Sequence, residues 1–177
     1  MRLACLPLAA LLLPIFATKA LAASDPPADS PCPPHLFVIE RSTNANVVVY
    51  DANRRTSGEL VSSQPVVAYW LMRAEDGKRE ELNVIERQRA YGFDTSPSEE
   101  DGTYILTFKA GKKRRLSIHV VKGCPVATGK IGGHSGTVRR IFVQSTGSSL
   151  RPTVEYVEFF GEDAAGAPLY EKFKPGK

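Results

Sequence analysis

From His35 onward the chain is a succession of short β-branched and aromatic runs separated by turn residues, and this pattern limits the fold more than any other feature. The runs are LFVIER (Leu36–Arg41), NVVVYD (Asn46–Asp51), VVAYWLM (Val66–Met72), TYILTFK (Thr103–Lys109), RLSIHVV (Arg115–Val121), VRRIFVQ (Val138–Gln144), TVEYVEFF (Thr153–Phe160) and PLYEKF (Pro168–Phe173). Between them lie Ser42–Ala45, Ala74–Gly77, Ala110-Gly111, Gly132-Gly133, Gly147-Ser148 and the stretch from Gly161 to Gly166. Such side chains suit a pleated, half-buried surface, and the glycines supply the turns. In RLSIHVV the alternation is plain: Leu116, Ile118 and Val120 share one face, Ser117 and His119 the other. The chain therefore reads as mainly β, an antiparallel sandwich or small barrel. One stretch departs from the pattern. Arg79–Ala90 (REELNVIERQRA) has no Gly or Pro, with acids early and bases late, and predicts one short helix.

The N-terminus reads as an address. Arg2 precedes an apolar run from Leu3 to Ala17, followed by Lys19 and the small-residue pattern Ala20-Leu21-Ala22. That layout predicts a secretory signal peptide over residues 1–22. A spanning helix needs about 20 apolar residues, and this run is shorter and contains Pro7 and Pro14. Neither Cys5 nor Cys32 follows the cleavage box, so no lipid anchor is expected. Residues 23–34, with five prolines between Ser24 and Pro34, read as an extended linker. Residues 35–177 read as a single β-rich domain in the periplasm or secreted medium, with no transmembrane anchor after processing.

Removing that leader changes two counts. Net charge falls from +4 to +2, because Arg2 and Lys19 leave, and so small an excess gives no field to collect nucleic acid. Of the three cysteines, Cys32 and Cys124 remain, and in an oxidising compartment the simplest outcome is a disulfide. The alternative is a pair of thiols too far apart to bridge.

Tests for chemistry fail one after another. His35, His119 and His134 are scattered, without the spacing of a metal site; His119 reads as a solvated side chain on a polar strand face. GCPVATGKI (Gly123–Ile131) has one residue too many between its glycines and Ile131 after the lysine, so it is not a phosphate loop. GHSGT (Gly133–Thr137) lacks the second glycine of a nucleophile elbow. No metal, cofactor or catalytic residue is predicted. The run KAGKKRR (Lys109–Arg115) places Lys112, Lys113, Arg114 and Arg115 at a hairpin tip, a basic patch open to acidic surfaces or simply solvated.

Four segments, HLFVIERSTNANVVVYDAN (His35–Asn53), PVVAYWLM (Pro65–Met72), IERQRAYGF (Ile85–Phe93) and PTVEYVEFFGED (Pro152–Asp163), resemble an uncharacterised family of secreted bacterial single-domain proteins, catalogued only as a domain of unknown function. The resemblance implies a bacterial envelope protein and assigns no catalytic residue. Within these segments Arg41, Asn44, Asn46, Tyr69, Trp70, Arg87 and Tyr91 set polar groups beside aromatic rings, as binding sites do. They are the candidate ligand-binding residues. The expected function is a non-catalytic ligand-binding or interaction module, taking an unknown small molecule or envelope component. A hydrolase acting on an envelope component and an assembly protein using β-strand addition are the alternatives.

Overall fold

The computed structural model describes residues 32–42, 44–110, 114–148 and 151–175. The expected leader and most of the proline-rich linker lie outside them. The described residues are mainly β: β1 (Phe37–Arg41), β2 (Asn44–Ala52), β3 (Val66–Met72), β4 (Lys78–Glu81), β5 (Phe93–Pro97), β6 (Tyr104–Phe108), β7 (Arg115–Val121), β8 (Cys124–Ile131), β9 (His134–Ser148), β10 (Arg151–Glu162) and β11 (Pro168–Phe173). No helix among them is long and apolar enough to cross a membrane.

All eleven strands belong to one open sheet that branches at β9. The start of β9 pairs with β8 (Thr137 opposite Thr128), and its middle pairs with β1 (Ile141 opposite Ile39). The other edge of β9 carries β10, which in turn carries β11. Two wings thus leave the same edge of β9, one running β1-β2-β3-β4 and the other β8-β7-β6-β5. Their inner faces share one core. Phe37 and Tyr50 stack at 4.4 Å, and Phe108 of the other wing meets them edge-on at 5.9 and 6.0 Å. Edge-to-face packing of this kind adds about 0.5–1.5 kcal/mol per pair beyond area burial. A smaller cluster of Val47, Val49 and Tyr69, flanked by Val38 and Leu71, occupies the opposite face of the first wing.

Two expectations are corrected here. Pairing is not wholly antiparallel, because β1 runs parallel to β9. The helix over Arg79–Ala90 also fails in its first part, where β4 forms a hairpin with β3 through Asp76 and Gly77, both at positive φ. The edge of β3 offers backbone partners that an isolated charged segment lacks, and this tertiary gain overrides helix propensity. Once the strand has formed, Lys78 and Glu80, two apart and so on one face, bond at 2.8 Å. A single 3-10 turn, Arg73–Glu75, lies between β3 and β4, and within Arg79–Ala90 helical structure is confined to residues 84–90. A reciprocal capping box starts it, since Glu86 N–H donates to Asn83 Oδ1 at 3.0 Å and Asn83 N–H to a Glu86 carboxylate oxygen at 2.9 Å. Val84 and Ile85 stay 68% and 69% exposed, so this turn does not bury the apolar side that a covering helix would.

Cys32 and Cys124 are bonded, with Cα atoms 5.2 Å apart. The bridge ties the segment ahead of β1 to the start of β8.

Candidate functional site

The residues singled out in the sequence divide into separate groups. Trp70 and Tyr91 meet nearly perpendicular at 5.1 Å, both buried. Arg41 donates to the Tyr91 hydroxyl at 3.1 Å, and the Tyr50 hydroxyl donates to the Tyr91 carbonyl at 2.7 Å. Burial raises the pKa of the Tyr91 hydroxyl against the lowering pull of Arg41, and burial raises Tyr50 much further. Tyr69 lies on the other sheet face, where its hydroxyl donates to Asp51 at 2.7 Å and Arg79 sits 4.4 Å from its ring centre. Asn44 accepts from the Asn46 N–H, and Asn46 accepts from the Ala74 N–H, so both amides satisfy backbone groups. Arg87 donates to the Leu82 carbonyl at 2.7 Å and pairs with Glu81. The structure therefore brings Arg41, Trp70 and Tyr91 together as a brace inside the first wing, away from Tyr69, Asn44 and Asn46.

The basic tip also changes character. Lys112 and Lys113 lie outside the described residues, and Arg115 is exposed. Arg114 is engaged: it donates to the Lys130 carbonyl at 3.0 Å, pairs with Glu171, and packs 5.0 and 4.6 Å from the ring centres of Phe159 and Phe173. Glu171 also accepts from the Gly132 N–H at 2.9 Å. Burial alone would raise the Glu171 pKa, but the bonds from Arg114 and Gly132, with the guanidinium charge, lower it. Arg114 thus pins the β10–β11 hairpin to the second wing.

An open groove of about 700 Å³ lies elsewhere, along the turns between β2 and β3 and between β5 and β6 and along the end of β7. Arg54, Arg55, Glu59, Asp101, Tyr104 and His119 supply its chemistry, with apolar contributions from Leu60 and Val120. The Arg54 side chain is a clamp, donating from Nε to the Gly58 carbonyl and from Nη2 to the Gly123 carbonyl, each at 3.0 Å. It joins the loop after β2 to the β7–β8 turn, next to Cys124. Arg55 makes no side-chain hydrogen bond or ion pair among the described residues; its backbone N–H closes the turn on the Glu59 carbonyl at 2.8 Å. His119, expected to be solvated, is half-buried, and its Nδ1 is buried without a hydrogen-bond partner. Arg54, Arg55, Glu59 and Tyr104 carry no motif, and Asp101 reads in the sequence as part of a solvated acidic turn, Glu99-Glu100-Asp101. The only other local signal is an Arg-Arg pair just before a Gly-centred turn, which is too common to mark a site.

A second polar constellation lies nearby in sequence, not in the groove lining. His35 Nδ1 is 2.7 Å from one Asp51 carboxylate oxygen, and the Tyr69 hydroxyl bonds the other. No group of His, Cys, Asp and Glu able to hold a metal occurs among the described residues.

Sheet and groove define the class: a β-rich domain of one branched open sheet, with a polar groove formed by its connecting turns. Residues 37–172 match the family described as a domain of unknown function, DUF4833, and the chain belongs to that family. No curated protein and no solved structure matches it.

Proposed function

We propose that this domain is an exported, non-catalytic binding module that holds an extended polar component of a bacterial envelope along the groove. The observation that carries the reading is the groove itself: charged, hydroxyl and apolar side chains share one lining, and Arg54 fixes its walls through two carbonyl bonds. Its volume falls within the roughly 300–1,000 Å³ of small-molecule sites. The leader-like N-terminus and the Cys32–Cys124 bridge support the exported setting.

Hydroxyl-radical footprinting of the oxidised protein with a bacterial envelope fraction tests this. Tyr104 and His119 should be protected relative to protein alone. Protection confined to Tyr170 or to Val84-Ile85, or none at all, overturns the groove as the binding surface. The hydrolase alternative draws on one observation, the short His35–Asp51 contact, which is how a general base is oriented. Soluble fragments released from the same fraction by the wild type, and not by His35→Ala, would favour it.

A further inference from the structure

We propose that the occupant of the groove is a chain of neutral pyranose sugars. This rests on the binding reading above and concerns the ligand class. A sugar hydroxyl both donates and accepts, so it is best held by a site offering both kinds of group. Here Arg55 brings donors, Asp101 brings acceptors, Glu59 brings a carboxylate that already accepts from the Ser57 hydroxyl at 3.3 Å, and Ser62 and Tyr104 bring hydroxyls that donate or accept.

The charges then decide between ligands. Arg54 and Arg55 are balanced by Glu59 and Asp101 in the same lining. A polyphosphate or polycarboxylate entering this groove would meet two like charges, and like charges brought together without partners cost binding. Arg54 moreover spends two of its five N–H donors on the Gly58 and Gly123 carbonyls, while the Arg55 side chain spends none among the described residues. Two guanidiniums offset by two carboxylates in one lining make a poor anion trap and a good polyol site.

The apolar groups agree. A pyranose ring is amphipathic, with C–H faces and a hydroxyl rim. Val120, which is exposed, and the Tyr104 ring give the C–H faces something to pack on while the polar groups reach the rim. The clamp formed by Arg54, beside the disulfide at Cys124, ties the turn around Gly58 to the β7–β8 turn before the ligand arrives, which limits the ordering cost of binding.

The test is a titration of the oxidised protein followed by NMR, using four probes: a β-1,4-linked N-acetylglucosamine hexamer, a β-1,4-linked glucose hexamer, inorganic polyphosphate and poly-glutamate. At least one hexasaccharide should move the Tyr104 and His119 signals saturably. Asp101→Asn and Arg55→Ala should each weaken that binding by about tenfold, the size expected for one lost hydrogen bond to a charged group, with thermal midpoints close to wild type. Failure of both hexasaccharides, saturation by an anionic probe in their place, or hexasaccharide binding untouched by the two variants overturns the inference. The groove reading is judged separately, because envelope-fraction protection of Tyr104 and His119 stands even if no sugar binds.

Discussion

The Tyr50 hydroxyl reaches the Tyr91 carbonyl oxygen at 2.7 Å and thereby joins the later part of β2 to the residue that follows the helical turn. Tyr50 is fully buried, and Tyr91 nearly so. Tyr50→Phe keeps the ring stack and orphans that carbonyl, at a cost of about 1–3 kcal/mol. The denaturation midpoint should fall with an unchanged slope. The raised Tyr50 pKa adds a pH signature. Its stabilisation is complete below the unfolded value near 10 and is lost as pH climbs above it towards the folded value. Wild-type stability should drop above about pH 10 more steeply than that of Tyr50→Phe. Parallel slopes would show that this hydroxyl is not the group responsible.

Glu171 predicts the opposite limb. Its folded pKa is lowered, so its contribution is present above the unfolded carboxylate value near 4.3 and disappears as pH falls through the folded value. Thermal midpoints measured from about pH 5 down to 2.5 should decline in the wild type and decline less in Glu171→Gln. Because Arg114 packs on Phe159 and Phe173 as well as pairing with Glu171, Arg114→Ala should cost more stability at neutral pH than Glu171→Gln does.

The bridge closes a loop spanning 92 positions. The chain-entropy relation puts the worth of such a loop at about 4–5 kcal/mol. Both cysteines should resist alkylation until reductant is added, and the reduced protein should melt at a lower temperature. Rapid labelling of either thiol in untreated protein would contradict the bond.

Gly92 and Gly102 make a matched pair of substitutions. A Cβ on Gly92 would stand 1.6 Å from the Arg87 carbonyl oxygen, while one on Gly102 would meet nothing within 4 Å. Gly92→Ala should therefore lose the folded state or most of its soluble yield. Gly102→Ala should cost only the backbone strain of a side chain at φ +72°, about 1–2 kcal/mol. Near-ultraviolet circular dichroism of the two purified variants distinguishes these outcomes.

What the sequence disclosed followed from local chemistry. The runs at Val66–Met72, Arg115–Val121 and Pro168–Phe173 coincide with β3, β7 and β11, because alternation and bounding turns are written within a few residues. β4 did not show itself, since its charged sequence becomes a strand only beside the open edge of β3. β5 was hidden by Pro97 and by its short polar composition, both tolerable where a strand pairs on one side only. The site was harder still. Arg55, Asp101 and His119 come from three different connections or strands, and only the branching of the sheet sets them around one groove. Trp70 and Tyr91 look like ligand contacts in a linear reading, because aromatic residues beside arginines have the same composition whether they brace a wing or line a cleft.

The parallel pairing of β1 with β9 has a kinetic consequence. The Ser42 hydroxyl bonds the Ser145 backbone 103 positions further on, so the first strand is completed by the last third of the chain. Contacts of such long range slow folding, since the loop must close before they form. A chain made N-terminus first leaves one edge of β1 waiting unpaired, with Phe37 and Ile39 on its core-facing side still to be covered, throughout the synthesis of the second wing. During that interval the chain carries an aggregation hazard that the pairing of β1 with β9 removes.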